Sequence, residues 1–411
     1  MKKLMYGMII FSVWSFNKTN AQRFIDYESP PVQYSKEKPD NEIENLRNRL
    51  DSKESKLVYE SRHGFLKSLL KELNISETSQ VLVFSKSSLQ THHIGPKNPR
   101  AIFFNDTTFV GYLHGTIGMI EIAIADKNRG MSFYTLDQSK NEIPEIQLQI
   151  NQCMTCHGGT RSLGVPGLIV RSVFTDEEGR VLFSAGGNLG ENSNPLEKRW
   201  GGWYVTGRSG IQQHLGNFVL KDKKRPSKID NFMGINLTQL DSFFASGEYP
   251  QPTSDIVALM VMEHQLNVLN YITRLVFESK IATVTKDFSH IDNAVENLVK
   301  QLLFSSELPL KNPIEGGEAF KMHFENCTSN NNFSKSLRIL DLKKRIFKHP
   351  ISFMICSDAY KGLPADVREK VQKKILMITS SDETIEGYEH LDVSNKKFIR
   401  EILSSTSFQK N

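Results

Sequence analysis

The octapeptide MIEIAIAD, Met119–Asp126, is one of five short runs rich in β-branched and aromatic residues between positions 81 and 136. The other four are VLVF from Val81, AIFF from Ala101, TFVGYL from Thr108 and MSFYTL from Met131. Turn-forming pairs separate the runs: Gly95-Pro96, Asn98-Pro99 and Asn105-Asp106. Short apolar runs divided by turn residues are typical of hairpins. This part of the chain therefore predicts a small, mostly antiparallel β-sheet.

The chain becomes helical in pattern beyond Asp255. The stretch DIVALMVMEHQLNVLNYITRLVF, Asp255–Phe277, carries apolar residues at helical spacing, and Ser254 is the expected N-cap. Other helices are expected at positions 41–57, 66–73, 292–303, 335–347, 366–378 and 395–403. We therefore predict an α+β fold with a β-rich amino-terminal part, a loop-rich central segment and a helical carboxy-terminal part.

The length of 411 residues predicts more than one domain. The expected divisions are residues 1–21, a signal peptide; 22–75, a linker with short helices; 76–150, a small β-rich region; 151–220, a segment that holds two close cysteines; and 221–411, a mainly helical region. The formal charge of +5 falls to +2 without the three lysines of residues 1–21. This near balance gives no indication of nucleic-acid binding, which needs a clustered basic surface.

The amino terminus has the pattern of a secretory signal. Lys2 and Lys3 precede an apolar run, Leu4–Phe16, which is too short to span a bilayer comfortably. Thr19-Asn20-Ala21 ends in a small residue, so cleavage is expected after Ala21. An uncleaved amino-terminal anchor is the alternative. We expect an exported, periplasmic protein with no integral membrane segment after signal removal.

The heptapeptide CMTCHGG, Cys153–Gly159, holds two of the four cysteines of the chain. Covalent haem attachment uses this spacing, because both sulfurs reach one porphyrin edge and the next histidine lies under the ring. Cys153 and Cys156 would then anchor the haem, and His157 would be the proximal iron ligand. The two glycines that follow either let the backbone pass close to the macrocycle or form a plain turn.

Two other chemistries use similar spacing. A zinc site needs four ligands, and the only other cysteines, Cys327 and Cys356, lie far downstream with His323 close to the first of them. A dithiol redox pair is expected in a thioredoxin-like βαβ unit, and the sequence around Cys153 does not predict one. Cys327 and Cys356 either form a disulfide after export or remain free thiols. The pair His92-His93 is interpreted as loop residues.

Several residues could bind iron opposite His157. His214 follows a glycine-rich aromatic stretch, and His264 lies on the long predicted helix with Met260 one turn earlier on the same face. Met262 is a further candidate, and an open sixth position is the remaining alternative. Three aromatic residues could wall the ring: Trp200, Trp203 and Tyr204.

The segment Cys153–His157 resembles the attachment motif of c-type cytochromes. A larger part of the chain resembles a group of exported bacterial proteins with a single c-type haem motif and no assigned activity. That resemblance is carried by the stretches NPRAIFFND, YTLDQ, CMTCHGGTRSLGVPGLIVRSVF, RWGGWYVTG, DIVALMVMEHQ and SLRILDLKKRIF. It implies one haem c with its iron and a periplasmic setting. The chain lacks the short methionine loop that supplies the second axial ligand in small c-type cytochromes.

The expected function is that of an exported mono-haem c-type cytochrome that transfers electrons to or from a redox partner protein. The chain is longer than a simple carrier needs, so two alternatives stay open. One is a peroxidase-like haem-c oxidoreductase with an open iron site, although the di-haem bacterial type would carry two attachment motifs. The other is a haem-bearing sensor or scaffold subunit of an envelope complex. Whether the protein is an enzyme is therefore left open.

Overall fold

A computed structural model describes residues 23–115, 118–140, 144–221, 229–327, 332–381 and 383–405. The expected signal peptide, residues 1–21, lies outside the described residues. The strands are β1 (Val81–Val83), β2 (Arg100–Phe104), β3 (Thr108–Leu113), β4 (Met119–Asp126), β5 (Gly130–Asp137), β6 (Ile146–Gln149), β7 (Arg171–Val173), β8 (Gly187–Leu189) and β9 (Trp203–Tyr204). The helices are α1 (Glu42–Asp51), α2 (Leu66–Glu72), α3 (Asn151–His157), α4 (Ile256–Thr285), α5 (Ile291–Leu302), α6 (Glu318–Asn326), α7 (Asn332–Ser336), α8 (Asp358–Lys361), α9 (Ala365–Ser380) and α10 (Val393–Ser404).

The predicted sheet is confirmed and is antiparallel throughout. Seven strands follow the spatial order β6-β5-β4-β3-β2-β1-β9, and β7 pairs with β8 in a separate two-stranded sheet. The octapeptide MIEIAIAD forms β4 near the middle, where Ile122 lies opposite Val110 on one side and Tyr134 on the other. With the helices that follow, this arrangement confirms the α+β fold class.

The two faces of the sheet bury different sets of side chains, because successive residues of a strand point in opposite directions. Ile120, Ile122 and Ile124 pack with α1 and α2 in one apolar cluster. Ala123 and Phe133 point the other way and belong to a larger cluster that includes α4, α5, α9 and α10. We call this second side the α4 face. One continuous core thus joins the amino-terminal sheet to the carboxy-terminal helices.

Helix α4 is the central element of the larger core and begins at Asp255. The carboxylate of Asp255 accepts a hydrogen bond of 2.8 Å from the backbone N–H of Ala258, as an N-cap does. Ser254 is not the cap, because its hydroxyl donates to Tyr204 O at 2.6 Å and accepts from Leu82 N at 2.8 Å. In the described part of the chain, no helix is both long and apolar enough to cross a membrane.

The expected helix at Lys335–Phe347 is wrong, since α7 ends at Ser336. The carboxylate of Asp341 accepts hydrogen bonds from the backbone N–H groups of Lys344 and Arg345, at 2.8 and 3.2 Å. An aspartate that bonds to the backbone in this way favours a turn over a continuing helix. The apolar spacing of this segment therefore serves core packing in an irregular loop.

Three further elements differ from the sequence prediction. The first helix, expected over residues 41–57, ends at Asp51, and Lys53 adopts a φ of 62° that a helix does not allow. The stretches LIVRSVF from Leu168 and RVLFSAG from Arg180 predict a hairpin around Gly179. Strand β7 instead pairs with Gly187–Leu189, and a single bridge joins Thr175 to Val181. Helix α6 was not expected from the sequence.

Candidate haem-binding site

Helix α3 presents the two close cysteines and the histidine together. It follows β6 directly and begins at Asn151. Ile146 and Leu148 therefore belong to the strand and not to the helix. Cys156 and His157 follow Cys153 by three and four residues. Residues at these spacings lie on the same face of a helix. Cys153 is half-buried against the main core, whereas Cys156 is exposed, and both are free thiols.

The environment of Cys153 does not favour a dithiol redox centre. Burial raises the pKa of its thiol to about 11, and the charges of Glu121 and Cys156 add to this effect. Redox-active and nucleophilic cysteines generally have a lowered pKa, because the thiolate is the reactive form. At neutral pH, Cys153 is therefore a protonated and weakly reactive thiol.

His157 is held by a reciprocal pair of hydrogen bonds with Gly167. Its Nδ1–H donates to Gly167 O at 3.0 Å, and the backbone N–H of Gly167 donates to His157 O at 2.9 Å. Among the described residues, none forms a hydrogen bond with Nε2. Burial lowers the pKa of His157, so the imidazole is neutral at pH 7. A neutral ring with Nδ1 bonded to a carbonyl and Nε2 free is the usual state of a metal-ligating histidine.

The loop between His157 and Gly167 is supported by α4. Asn270 donates through Nδ2 to Leu168 O at 2.8 Å, and Arg274 donates through Nη1 to Leu163 O at 2.9 Å. Each side chain satisfies a carbonyl group of the loop from the same side. Helix α4 therefore holds carbonyl groups on both sides of Gly167, whose own carbonyl accepts from the His157 ring.

The two glycines after the motif have different surroundings. A Cβ atom at Gly158 would lie less than 3.0 Å from the Tyr27 hydroxyl and from the methyl group of Met154. A Cβ at Gly159 would meet no atom within 4 Å. Gly158 is therefore needed for packing against Tyr27, which agrees with the plain-turn interpretation at this position.

The sheet beside α3 offers a partly exposed strip on its α4 face. Arg100 on β2 and Glu121 on β4 form an ion pair across Gly111 of β3, which has no side chain to separate them. Both charges act on the pKa of His157, which places the pair close to the ring. The His157 ring itself lies against Phe133, with 4.9 Å between ring centroids.

Positive charge surrounds the exposed end of the motif. Burial and repulsion from Arg161 lower the pKa of Arg171, and the Cys156 thiol interacts with the same guanidinium. Arg100 also lies on the sheet beside α3, but its guanidinium is already paired with Glu121. Guanidinium groups bind carboxylates well, so they could hold the propionate groups of a haem.

Trp203, one of the three aromatic residues expected at the haem, is buried on the α4 face in β9, at the sheet edge opposite β6. It pairs with Val83 in the sheet, and its indole N–H donates to Arg171 O at 2.8 Å. Tyr204 points to the opposite face and packs against Phe84, with 4.7 Å between ring centroids. Trp200 is fully buried, with its indole nitrogen 3.4 Å from the carboxylate of Glu263.

His264 is fully buried, and both ring nitrogens have partners. Nδ1 lies 3.2 Å from Nδ2 of Asn192, and Nε2 lies 2.7 Å from the Ser352 hydroxyl. Burial lowers the pKa of His264 to about 3, so the ring is neutral. It also precedes Asn270 by six residues, which is about 9 Å along a helix. These surroundings are typical of a structural histidine.

The remaining candidates for the sixth ligand are also buried in other parts of the core. His214 accepts a hydrogen bond of 3.1 Å from the N–H of Gly216, and burial lowers its pKa to about 4. The side chains of Met260 and Met262 belong to the main apolar cluster. Within the described residues, no hydrogen bond or ring contact joins His214 or His264 to α3.

The remaining cysteines, and the pair His92-His93, show no contact with α3 among the described residues. Cys327 and Cys356 are half-buried free thiols, and burial raises the pKa of each. His92 and His93 are exposed turn residues, as expected. Across the part of the chain that is described, no group of three or more His, Cys, Asp or Glu side chains is arranged to hold a metal ion.

The residues that sequence reasoning missed are Gly167, Asn270 and the arginines. Arg161 and Arg171 lie in the stretch that carries the resemblance, but their approach to Cys156 depends on the fold. Comparisons with protein-family models, with curated proteins and with solved structures gave no match. The chemistry of the site is therefore inferred from α3 and its surroundings.

Proposed function

We propose that the protein is an exported mono-haem c-type cytochrome. Cys153 and Cys156 would form the two thioether bonds, and His157 would bind the iron through Nε2. The observation that carries the proposal is the hydrogen bond from His157 Nδ1 to Gly167 O, at 3.0 Å. It leaves Nε2 free on a helix that presents both thiols on the same face.

The residues around α3 fit the chemical groups of a haem. Arg161 and Arg171 offer positive charge for two propionates, and the buried Phe133 ring packs against His157 beside the motif. When bound, the haem would supply one-electron transfer through its iron.

The polypeptide has two tasks in this account. The carbonyl group of Gly167 keeps the His157 imidazole oriented and raises its basicity, which stabilises the oxidised iron. The exposed position of Cys156 places the attachment helix at the surface, where a redox partner protein can approach. The periplasmic location remains part of the proposal, because covalent haem attachment takes place on exported chains.

A haem-c oxidoreductase with an open iron position is the second candidate function. The observation that favours it is the engagement of His264, whose two ring nitrogens both have partners in the core. An open position would admit a small ligand such as peroxide. The proposal of a sensor or scaffold subunit has no specific observation in its favour.

Expression with a covalent haem-maturation system, followed by optical spectra of the oxidised and reduced protein, tests the proposal. The wild type should show one haem per chain that survives denaturation, and Cys153→Ala with Cys156→Ala should lose it. Cys327→Ala is the matched control and should keep the haem. A colourless wild type would contradict the proposal. Rapid binding of cyanide or carbon monoxide would favour the oxidoreductase over the carrier.

A further inference from the structure

Met119 is an exposed methionine on the sheet face beside α3. It begins β4 and points to the α4 face with Glu121 and Ala123, because alternate residues of a strand share one face. Its side chain is 38% exposed. The other methionine in the described part of the sheet, Met131, is buried. Met119 therefore supplies the one thioether of the described strands that is accessible from outside the core.

The position of Met119 relative to His157 follows from the strand register. The His157 ring lies against Phe133, which is opposite Ala123 of β4. Met119 precedes Ala123 by four residues, which is about 13 Å along a strand. Glu121 lies between these two residues on the same face. Met119 and His157 are therefore placed towards the two ends of the partly exposed strip, with Glu121 between them.

Helix α3 extends along this strip as far as Glu121. Burial is the main influence on the pKa of Cys153 and on that of His157, but the carboxylate of Glu121 acts on both. Arg100 holds this carboxylate in an ion pair, so Glu121 is not available to a metal ion. The next residue along the same face of β4 is Met119. In the part of the chain that is described, its sulfur forms no hydrogen bond.

The backbone of Met119 is held by the side chain of Gln90. Nε2 of Gln90 donates to Met119 O at 3.0 Å, and Oε1 accepts from the backbone N–H of Met119 at 2.9 Å. The Gln90 side chain is itself buried. These two hydrogen bonds fix the first residue of β4 before any ligand is present. Such preorganisation lowers the conformational cost of binding.

We infer that Met119 is the sixth ligand of the haem iron, on the side opposite His157. This inference rests on the proposed function and names the residue that completes the iron site. A thioether is a soft ligand, and methionine opposite histidine raises the reduction potential of a haem. The ligand precedes the cysteine motif in the chain, whereas every candidate considered from the sequence follows it. Iron that is bound on both sides favours the electron carrier over the oxidoreductase.

Spectra of the haem-loaded, full exported protein test the inference. The oxidised wild type should show the weak far-red band of iron bound to a methionine sulfur. The reduced wild type should show a strongly shifted methionine methyl signal in its proton NMR spectrum. Met119→Leu removes the sulfur and keeps an apolar side chain of similar volume. This variant should keep its covalent haem, lose both signals and gain rapid binding of carbon monoxide.

Two further variants make the test specific. Met119→His should keep a six-coordinate iron and lower the reduction potential, because a second histidine replaces the methionine. Met377→Leu is the matched control and should keep both sulfur signals. Met377 is also exposed, at 60%, but it lies on α9, which packs mainly with α5 and α10.

The outcomes separate this inference from the proposed function. Haem-loaded Met119→Leu with the spectra of the wild type would overturn the assignment of Met119 and leave the haem proposal intact. Rapid binding of carbon monoxide by the wild type would do the same. A wild type without covalent haem would contradict the proposed function itself, and the assignment of Met119 with it.

Discussion

Two hydrogen bonds of opposite direction join His157 and Gly167. The ring Nδ1–H of His157 donates to Gly167 O, and the backbone N–H of Gly167 donates to His157 O. The pair closes a compact loop directly after the two cysteines. The loop fixes both the tautomer and the orientation of the imidazole. The local structure therefore leaves Nε2 of His157 without a hydrogen-bond partner among the described residues, as the proposed iron ligand requires.

Asn270 tests whether the loop is held by α4. Asn270→Leu removes the hydrogen bond of 2.8 Å to Leu168 O and frees the adjoining Gly167 carbonyl. A weaker bond to Nδ1 makes the imidazole a poorer electron donor, so the midpoint potential of the haem should rise while haem content is unchanged. Potentiometric titration of the purified protein measures this change.

Asn267→Leu is the matched control for that experiment. Asn267 lies on the same helix and also donates a hydrogen bond of 2.8 Å, but to Gly190 O rather than to the segment that follows His157. Its replacement should lower stability without moving the potential. Equal shifts in both variants, or no shift with Asn270→Leu, would show that α4 does not position His157.

The neighbouring glycines at 158 and 159 give a prediction about packing. Gly158→Ala places a methyl group against the hydroxyl of Tyr27 and should destabilise the fold by about 1–3 kcal/mol. Gly159→Ala faces open space and should be neutral or slightly stabilising. Urea unfolding of both variants measures the difference. Adding Tyr27→Phe to Gly158→Ala should recover part of the lost stability. Equal effects of Gly158→Ala and Gly159→Ala on stability would contradict the prediction.

Arg171 gives a prediction about charge. A guanidinium group near Cys156 favours the reduced haem, because reduction adds an electron to the site. Arg171→Gln should therefore lower the midpoint potential, most clearly at low ionic strength. Arg208→Gln is the control, since Arg208 is exposed and pairs with Glu315. If Arg171→Gln and Arg208→Gln changed the midpoint potential equally, the position of Arg171 near Cys156 would not matter for the potential.

His264 gives a prediction about pH. Burial lowers its pKa in the folded protein to about 3, from an ordinary value near 6.5. As the pH falls, the unfolded chain therefore binds a proton at His264 before the folded protein does. The contribution of the neutral His264 ring to stability is complete above about pH 6.5 and is lost as the pH falls towards 3. The loss amounts to about 1.4 kcal/mol for each pH unit.

The variant His264→Gln isolates this effect from other buried groups. The pKa of Asp255 is raised to about 6 by burial and acts with the opposite sign, but it is common to both proteins. The difference in unfolding free energy between wild type and variant should be largest at pH 7 and should shrink by pH 5. A difference that does not change with pH would mean that the pKa of His264 is the same in the folded and unfolded states.

The sheet and the long helix could be predicted from sequence because their signals are local. The β-branched run Met119–Asp126 forms β4, and the helical apolar spacing after Asp255 forms α4. Turn chemistry that competes with apolar spacing was harder to anticipate, as Asp341 illustrates. A short segment before Cys153 is also ambiguous in sequence: the spacing of Ile143, Ile146 and Ile150 fits a helix, whereas the alternation of Ile146, Leu148 and Ile150 fits a strand.

The surroundings of the candidate site depend on contacts between distant parts of the chain. Asn270 reaches Leu168 across 102 residues, and Arg274 reaches Leu163 across 111. Sequence spacing contains no record of such contacts. It identified Cys153, Cys156 and His157 as candidates because the three lie within five consecutive residues, but it could not reveal that His264 is enclosed in the core.

The most direct test of the central claim is the mass of the denatured, exported protein. We expect the mass of the polypeptide without residues 1–21 plus that of one haem, and a peptide spanning Cys153–His157 should carry the whole addition. A chain with the mass of the bare polypeptide, after expression with an active haem-maturation system, would contradict the account.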